Sequence, residues 1–489
     1  MVPLLSQAWL RNEQTHQSMS LFIALLLLAS LALNTWLAVA PAMLHSSPTR
    51  FINAPSGTPS GPRSEGLEAV LLPEAPALPH PSPAPPASPT ATPLRGSANW
   101  EKTCGSRWQS AYTVLHHDIV TGRAPLRSLV SVAVEKGIAD RLSGLMSQFL
   151  LALVQRRAIL HATYGRLPDW DDAFSFPHIA SKAASLDDAI LDPVKFTYRG
   201  ERSYAGLSLA NASQYYPLYF VDNHSQADSI FASNLKAFPE GRASVATIVS
   251  ASNRGRSYVL FDNPYHRSKL RSLGLTPENA FACVHRFMFQ LAPVARDATY
   301  LEHARVLDDA GEEGALRIAI HVRQGDSAFS LAPNATADWD QASAHFMCAE
   351  EIAATRARPG QRVLFYFNSD SLPLRRAAAE RYGHRLTTDL RGSGHADCIS
   401  LGGCDNVKGS FRLAVAQMDL FSRADVHVVS VLSGFGAMGA WMSAIYRHGV
   451  SAPLNHSSHI YRVSNGVTRD CSVAAADSAR LVASSWAGF

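Results

Sequence analysis

The chain has 489 residues, 47% of them hydrophobic and only 17% charged, enough for two or three domains with a sizeable core. Its formal net charge is +4, and the basic residues are scattered rather than clustered, which excludes a nucleic-acid binder built on a basic patch. Of the 44 basic residues 37 are Arg, a preference that suits phosphate recognition but owes more to genome composition.

In chain order, residues 1–20 form a polar lead. No Lys, Arg, Asp or Glu occurs from Gln17 to Ser47, and Leu21 to Ala40 is apolar enough to cross a bilayer as one helix. Residues 21–44 therefore read as a transmembrane signal-anchor, with residues 1–20 as its cytosolic tail. A cleaved signal peptide is the rival, because Ala38-Val39-Ala40 has the small-x-small form of a cleavage site. Either way the bulk of the chain is expected to be exported. Pro41 to Pro93 carries 14 of the 28 prolines, mixed with Ser, Ala, Gly and Thr. Such a segment cannot form a core, so 45–99 reads as a disordered Pro-rich stem. The globular body is expected from residue 100.

Gly137 to Leu142 reads as a Gly turn. Leu142, Leu145, Met146, Phe149, Leu150 and Leu153 then recur at helical spacing, and Gln155 to His161 reads as a helix end followed by a strand. Asp140 would be favourable in the first turn of that helix, beside Arg141. Val245 to Ser250 reads as a strand ending at Asn253-Arg254-Gly255. Tyr265 to Leu275 and Phe281 to Leu291 read as helices, and a helical connector lies near residue 300. The domain boundary is placed there, giving halves 100–305 and 306–489. In the second half the strand–helix alternation continues. Ile318 to Val322, Arg362 to Asn368 and Val426 to Ser430 read as strands. Pro373 to Tyr382, Gln417 to Ala424 and Ala437 to Tyr446 read as helices.

The six cysteines (104, 283, 348, 398, 404, 471) all follow the apolar run and permit three disulfides in fifteen pairings. There is no C-x-x-C pair of the kind that holds zinc. Sequons at Asn211, Asn223, Asn334 and Asn455 suit the same exported compartment.

Three segments of the second half share one position, the end of a strand entering a loop or helix, where open α/β sheets bind ligands. The first is His321-Val322-Arg323-Gln324-Gly325-Asp326. An Arg fork there can grip a pyrophosphate through two parallel hydrogen bonds, and Gly325 lets the backbone come close. The second is Asn368-Ser369-Asp370-Ser371. The third runs from Ser430 to Ser433-Gly434-Phe435-Gly436, where small hydroxyls and backbone N–H groups at a helix start suit a phosphate; ordinary helix capping by Ser433 or Gly434 is the plainer reading.

Together these segments resemble the fucosyltransferase superfamily that includes the α1,2-, α1,6- and protein O-fucosyltransferases. His321-x-Arg323-x-Gly325-Asp326 matches its first motif. Phe367-Asn-Ser-Asp370-Ser looks like the second, and Asp419 to Asp425 running into Ser433 to Gly436 is similar to the third. Gly137 to Leu142 resembles the opening motif of the N-terminal domain, and Asn253-Arg254-Gly255 one found in some eukaryotic members. The resemblance covers roughly residues 100 to 450 in short islands. It implies a GT-B-like α/β fold, two Rossmann-like domains facing a cleft, the first on the acceptor side and the second binding the nucleotide sugar. It implies an inverting transfer of fucose from GDP-fucose to a glycan or glycoprotein, without a metal or other cofactor. With the anchor and stem, it implies a single-pass type II Golgi membrane protein whose catalytic region is lumenal.

Carried over residue by residue, Arg323 would stabilise charge on the departing GDP. Asp326 and Asp140 are the candidates for the base on the acceptor hydroxyl. His321, Gly325, Arg141, Asp370, Asp419, Ser433, Gly434, Phe435 and Gly436 would line the nucleotide sugar: Ser433 and the backbone at Gly434 and Phe435 at the β-phosphate, Asp419 near the guanine, His321 shaping the loop. Many relatives carry a second basic residue where this chain has Gln324, which removes one cation from the phosphate site. Two other readings compete. One is a metal-dependent GT-A enzyme, because Asp169-Trp170-Asp171 and Asp338-Trp339-Asp340 have the Asp-x-Asp form that can hold Mn²⁺ on a diphosphate. The other is a non-catalytic secretory-pathway protein that binds a glycan or nucleotide sugar. The aromatic loops at 168–177 and 198–219 are candidates for the acceptor side.

Overall fold

The computed structural model describes residues 103–105, 107–133, 137–163, 167–180, 215–219, 224–236, 246–253, 255–325, 328, 337–392, 406–431, 433–443 and 460–463. The expected anchor at 21–44, the stem, the four sequons, Arg254, Asp326, Cys398, Cys404 and Cys471 lie outside those residues. No helix among the described residues is long and apolar enough to cross a membrane.

Two parallel sheets organise the body. The first has the order β2-β1-β5-β4, from Ala158–Ala162 (β2), Ser128–Val132 (β1), Thr247–Ala251 (β5) and Tyr215–Tyr219 (β4). Helix α1 (Arg107–Val120) precedes β1, and α2 (Ile138–Gln155) crosses from β1 to β2. The sequence reading missed β1 because Ser128 and Ser131 break its apolar run. The fold keeps Ser128 in a buried strand by pairing its hydroxyl with Thr247 Oγ1 at 2.8 Å. Gln148 from α2 likewise donates to Ser250 Oγ of β5 at 3.0 Å. Gly144 lets α2 sit this close: a Cβ there would lie 2.4 Å from the Ser252 carbonyl oxygen. The helix ends at Arg156, whose αL conformation lets its N–H reach the last turn.

Short helices follow β4 and β5: α3 (His224–Ala232), α4 (Ser257–Asp262), α5 (Arg267–Ser272) and α6 (Ala280–Met288). An antiparallel ribbon of β3 (Phe174–Ser175) and β6 (Gln290–Leu291) leads to α7 (Ala298–Glu312), which Asp297 caps by accepting from Tyr300 N–H.

The second sheet has the order β11-β10-β7-β8-β9, from Ile460–Val463, Val426–Ser430, Leu316–Val322, Val363–Ser369 and Leu386–Thr387. Its helices are α8 (Trp339–Arg356), α9 (Leu372–Tyr382), α10 (Val407–Ser422) and α11 (Gly434–Met442). The period-2 alternation of β7 sorts two cores. Ile318, Ile320 and Val322 join Phe365, Phe367, Val426 and Val428 under α8 and α9. Ala319 faces the other way and joins Tyr366, Phe421 and Trp441, in the core shared with α2 and α6. Both faces are covered, so the strands read as near-continuous apolar runs.

Several expected helices shift. The one expected over Tyr265 to Leu275 spans Arg267–Ser272, and the one over Phe281 to Leu291 ends at Met288, before Gln290–Leu291 forms β6. The α10 helix begins ten residues before Gln417. The α11 helix begins at Gly434 rather than Ala437, because Ser433 Oγ accepts from Gly436 N–H at 3.3 Å and turns the Gly-Phe-Gly run into a first helical turn. Cys104 and Cys283 form a disulfide that ties the segment before α1 to α6, and Cys348 is also disulfide-bonded.

Candidate active site

In the second sheet the chain leaves β7 for β8 on one side and returns to β10 on the other. The carboxyl ends of β7 and β10 therefore flank the switch point, the place where such sheets bind ligands. The register sets His321 beside Val429 and beside Asn368, and Val322 beside Ser369. One residue further on, Arg323 enters its loop between the ends of β8 and β10.

Asp370 shapes that loop. Its side chain is 3% exposed and takes the Arg323 guanidinium at Oδ2. It also accepts from Gln324 N–H at 2.9 Å and Gly325 N–H at 3.0 Å. A carboxylate with two successive amides and a guanidinium is a charge-assisted set that fixes backbone and side chain at once. Gly325 needs its freedom: φ is +111°, and nothing stands within 4 Å of where a Cβ would be. Arg323 itself is 27% exposed, so part of its fork faces outward. The Asp370 carboxylate is thus engaged with the loop on three sides.

On the other side, His321 Nδ1 lies 3.2 Å from Ser433 Oγ, the N-cap of α11. The His321 ring stacks on Phe435 at 5.1 Å between centroids and meets Phe421 edge-on. Gly436 gives room for this contact, since a Cβ would sit 3.0 Å from Val429 Cγ1 and 3.3 Å from His321 Nδ1. The first turn of α11 leaves N–H groups without intrahelical partners. Ser433 serves that of Gly436, while the Gly434 and Phe435 amides belong to the same positive helix end. Capping is thus what the Ser433 hydroxyl does. The structure brings His321, Arg323, Gly325, Asp370, Ser433, Gly434, Phe435 and Gly436 into one neighbourhood.

Three further expected residues, Arg141, Asp140 and Asp419, have contacts of their own. Arg141 is 2% exposed. Its Nη2 donates to the Pro168 carbonyl at 2.8 Å, and its guanidinium lies 4.6 Å from the Trp170 ring and 5.3 Å from the Phe411 ring. It is expected to touch the nucleotide sugar but is instead caged between two aromatic faces that desolvate it. Asp140 is half-buried in the first turn of α2. Asp419 accepts from Tyr300 Oη at 2.7 Å and from Arg423, which also pairs with Asp308. Burial pushes the Asp419 carboxyl upward, but Arg423 and the Tyr300 hydrogen bond outweigh it and hold it below the usual carboxylate range. Asp419 borders a recess with Phe174, His285 and Phe289.

Of the two Asp-x-Asp triplets, Asp338 and Asp340 stand at the start of α8, the ordinary place for acids at a helix N-terminus. Asp169 and Asp172 form a capping box around the turn 170–172. His161, Asp169 and Asp171 do offer ligand atoms within 4.8 Å of one another, the one such group among the described residues that could hold a metal. Asp169 Oδ1 takes hydrogen bonds from His161 at 3.0 Å and Thr163 at 3.1 Å, so the arrangement closes with protein partners. Of the aromatic loop 168–177, Trp170 and Phe174 are core residues: Phe174 stacks on Phe289, and Trp170 packs at a tilt against Phe289 and Phe411.

The sequence names Ser430 at the start of the third segment without giving it a role, and gives no sign of His345. Ser430 Oγ accepts from Arg323 N–H at 2.9 Å, and His345 of α8 reaches the same hydroxyl at 3.0 Å. The cross-strand register would have exposed Ser430, but no sequence signal points to His345.

His321 is buried, and its pKa falls to about 3, first through burial and then through Arg323 and His345. Burial likewise lowers His116 and His285 to about 4. Each is neutral when folded and regains an ordinary value near 6.5 when unfolded. The unfolded chain therefore binds more protons below pH 6.5, and stability is lost as pH falls from there toward 4. Chemical denaturation across pH 7 to 4 should show this decline. His321→Gln should flatten part of it, and a flat profile in the wild type would refute the assignment.

No protein-family model and no curated protein sequence matches the chain. Among solved structures it is similar to a mutant of Arabidopsis thaliana FUT1 in complex with GDP, with 17% identity over 70% of this chain and 75% of that one, at a TM-score of 0.45. It is also similar to the fucosyltransferase NodZ from Bradyrhizobium, with 13% identity over 64% and 92% of the two chains and a TM-score of 0.36. A third is POFUT1 in complex with GDP, with 7% identity over 66% and 97% and a TM-score of 0.32. With every TM-score below 0.5, none of these likenesses bears on function by itself.

Proposed function

We propose that the chain is a glycosyltransferase that moves fucose from GDP-fucose to a glycan or glycoprotein hydroxyl, with inversion and without a metal. One observation carries this reading. A partly exposed guanidinium, Arg323, and a glycine-lined helix start, Ser433 to Gly436, stand at the same switch point, joined through His321. Both attract anions, and their pairing suits a diphosphate.

In the transfer, the bond between the anomeric carbon and the phosphate oxygen breaks, and the electron pair leaves with GDP. The acceptor oxygen forms the new bond from the opposite face. Arg323 and the Gly434 and Phe435 amides would meet the charge that develops on the β-phosphate, where fixed donors lower the barrier most. The acceptor proton goes to a carboxylate, with Asp140 and Asp326 the candidates. Residues 21–44 would anchor the chain in the Golgi membrane, with residues 45–99 as a stem and the halves 100–305 and 306–489 in the lumen as acceptor and donor domains.

The test is a donor screen. The full chain, incubated with a panel of nucleotide sugars and a glycan mixture, should consume GDP-fucose alone, at a rate that EDTA leaves unchanged. Loss of turnover in EDTA would shift the chemistry to a metal and make His161, Asp169 and Asp171 the first residues to replace. Saturable GDP-fucose binding without turnover would favour the non-catalytic reading, which Gln324 in place of a second cation keeps in play.

A further inference from the structure

We infer that His345 and Ser430 are positioning residues that set the Arg323 loop from behind, an inference that rests on the donor-site reading above.

The geometry converges on one hydroxyl. Ser430 Oγ has one proton and two lone pairs. It accepts from Arg323 N–H at 2.9 Å, lies 3.0 Å from His345 Nε2, and donates to the His321 carbonyl at 3.3 Å. With its proton on that carbonyl, Ser430 receives from His345, which fixes His345 as the tautomer carrying hydrogen on Nε2. Ser430 is 3% exposed and His345 fully buried. With both groups buried, a bond lost at this hydroxyl is not readily replaced by water.

The consequence is a continuous frame. From α8, His345 holds Ser430, and Ser430 holds the peptide on both sides of Val322, at the His321 carbonyl and the Arg323 amide. His321 in turn reaches Ser433, which caps α11. Asp370 fixes the other flank of the loop through Gln324 and Gly325. The guanidinium and the helix start are thereby held at one mutual distance, as a preorganised diphosphate site requires. Neither His345 nor Ser430 is assigned a contact with the donor; both act through Arg323.

The test compares His345→Leu, which keeps bulk but loses the donor, with His345→Gln, whose amide can replace Nε2–H. Ser430→Ala serves as a second route should the Leu variant fail to fold. Hydrogen exchange is read on a peptide spanning residues 320–326, together with kcat, the KM for GDP-fucose and Tm. In His345→Leu and in Ser430→Ala, exchange at the loop should rise about tenfold while other peptides stay protected. The kcat should fall about tenfold or more and the donor KM rise, with Tm shifted by only a few degrees. His345→Gln should restore most of both. In an Arg323→Ala background, His345→Leu should cost little further turnover, because it acts through the missing side chain.

Unchanged loop exchange in His345→Leu and Ser430→Ala overturns the inference, as does a Gln variant no better than Leu, or loosening spread over all of α8. If the wild type turns over no nucleotide sugar, the functional reading fails by itself, and the exchange comparison still decides whether His345 orders the loop.

Discussion

Arg323→Ala should lower kcat/KM for GDP-fucose by about 10³-fold or more while the chain stays folded. The two halves of this expectation have separate causes. Folding survives because the loop keeps its second anchor: Asp370 still accepts from the Gln324 and Gly325 amides, and Ser430 still holds the Arg323 backbone. The lost ion pair leaves a carboxylate that is 3% exposed, but the departing side chain was 27% exposed, so water reaches the gap. A stability cost of about 1–2 kcal/mol follows, well short of unfolding. On the proposed mechanism activity collapses, because the residue would supply the charge that meets the leaving diphosphate, beside a position where this chain has Gln324. Arg323→Lys should fall between the two, since it restores the charge without the planar fork. Steady-state kinetics run well below the Tm of each variant separate the effects. Wild-type rates in the alanine variant would remove the catalytic reading altogether.

The elements around this site differ in how plainly the sequence announces them. Strands β7, β8 and β10 are legible because burial on both faces demands near-continuous runs of apolar, largely β-branched and aromatic residues. Strand β1 is not, since its buried serines are tolerated only through partners such as Thr247, more than a hundred residues away. Helix α8 is hidden for another reason. Ala342, Ala344, Ala349 and Ala353 give it a weak apolar contrast, so Asp338 and Asp340 at its start read as a metal motif. His345 lies within that same stretch.

The candidate site divides along the same line. Residue types that chemistry requires at a strand end, Arg323 and Gly325, can be read from local spacing. Which partner a polar group chooses cannot. Arg141 and Asp370 both have the character of ligand-binding residues, and the fold gives one to Trp170 and Phe411 and the other to the Arg323 loop. In each case a burial of charge that sequence alone cannot foresee decides the outcome.

The largest stability effect is expected at the bond between Cys104 and Cys283. Replacing both by Ala should lower stability by about 3–5 kcal/mol and Tm by upwards of about 5 °C. The two cysteines lie 179 residues apart, so the crosslink closes a very long loop, and the chain-entropy cost it removes from the unfolded state is correspondingly large. The folded side is well prepared. Both cysteines are fully buried. Trp108 Nε1 donates to the Cys104 carbonyl at 2.9 Å, and Asn279 Nδ2 spans the junction to the Thr103 and Gly274 carbonyls at 2.8 Å each. Next to the bond, Trp108 and Tyr112 of α1 pack against Phe149 of α2 and Phe287 of α6. This aromatic cluster holds α1 in place without the bond, so the double variant should still fold with wild-type donor affinity. The same logic predicts that a strong reductant lowers the Tm of the wild type and leaves that of the double variant less affected, the residue of its effect coming from Cys348. Equal Tm values for wild type and double variant under oxidising conditions would mean that the packing of α1, and not the covalent link, sets the stability of this half.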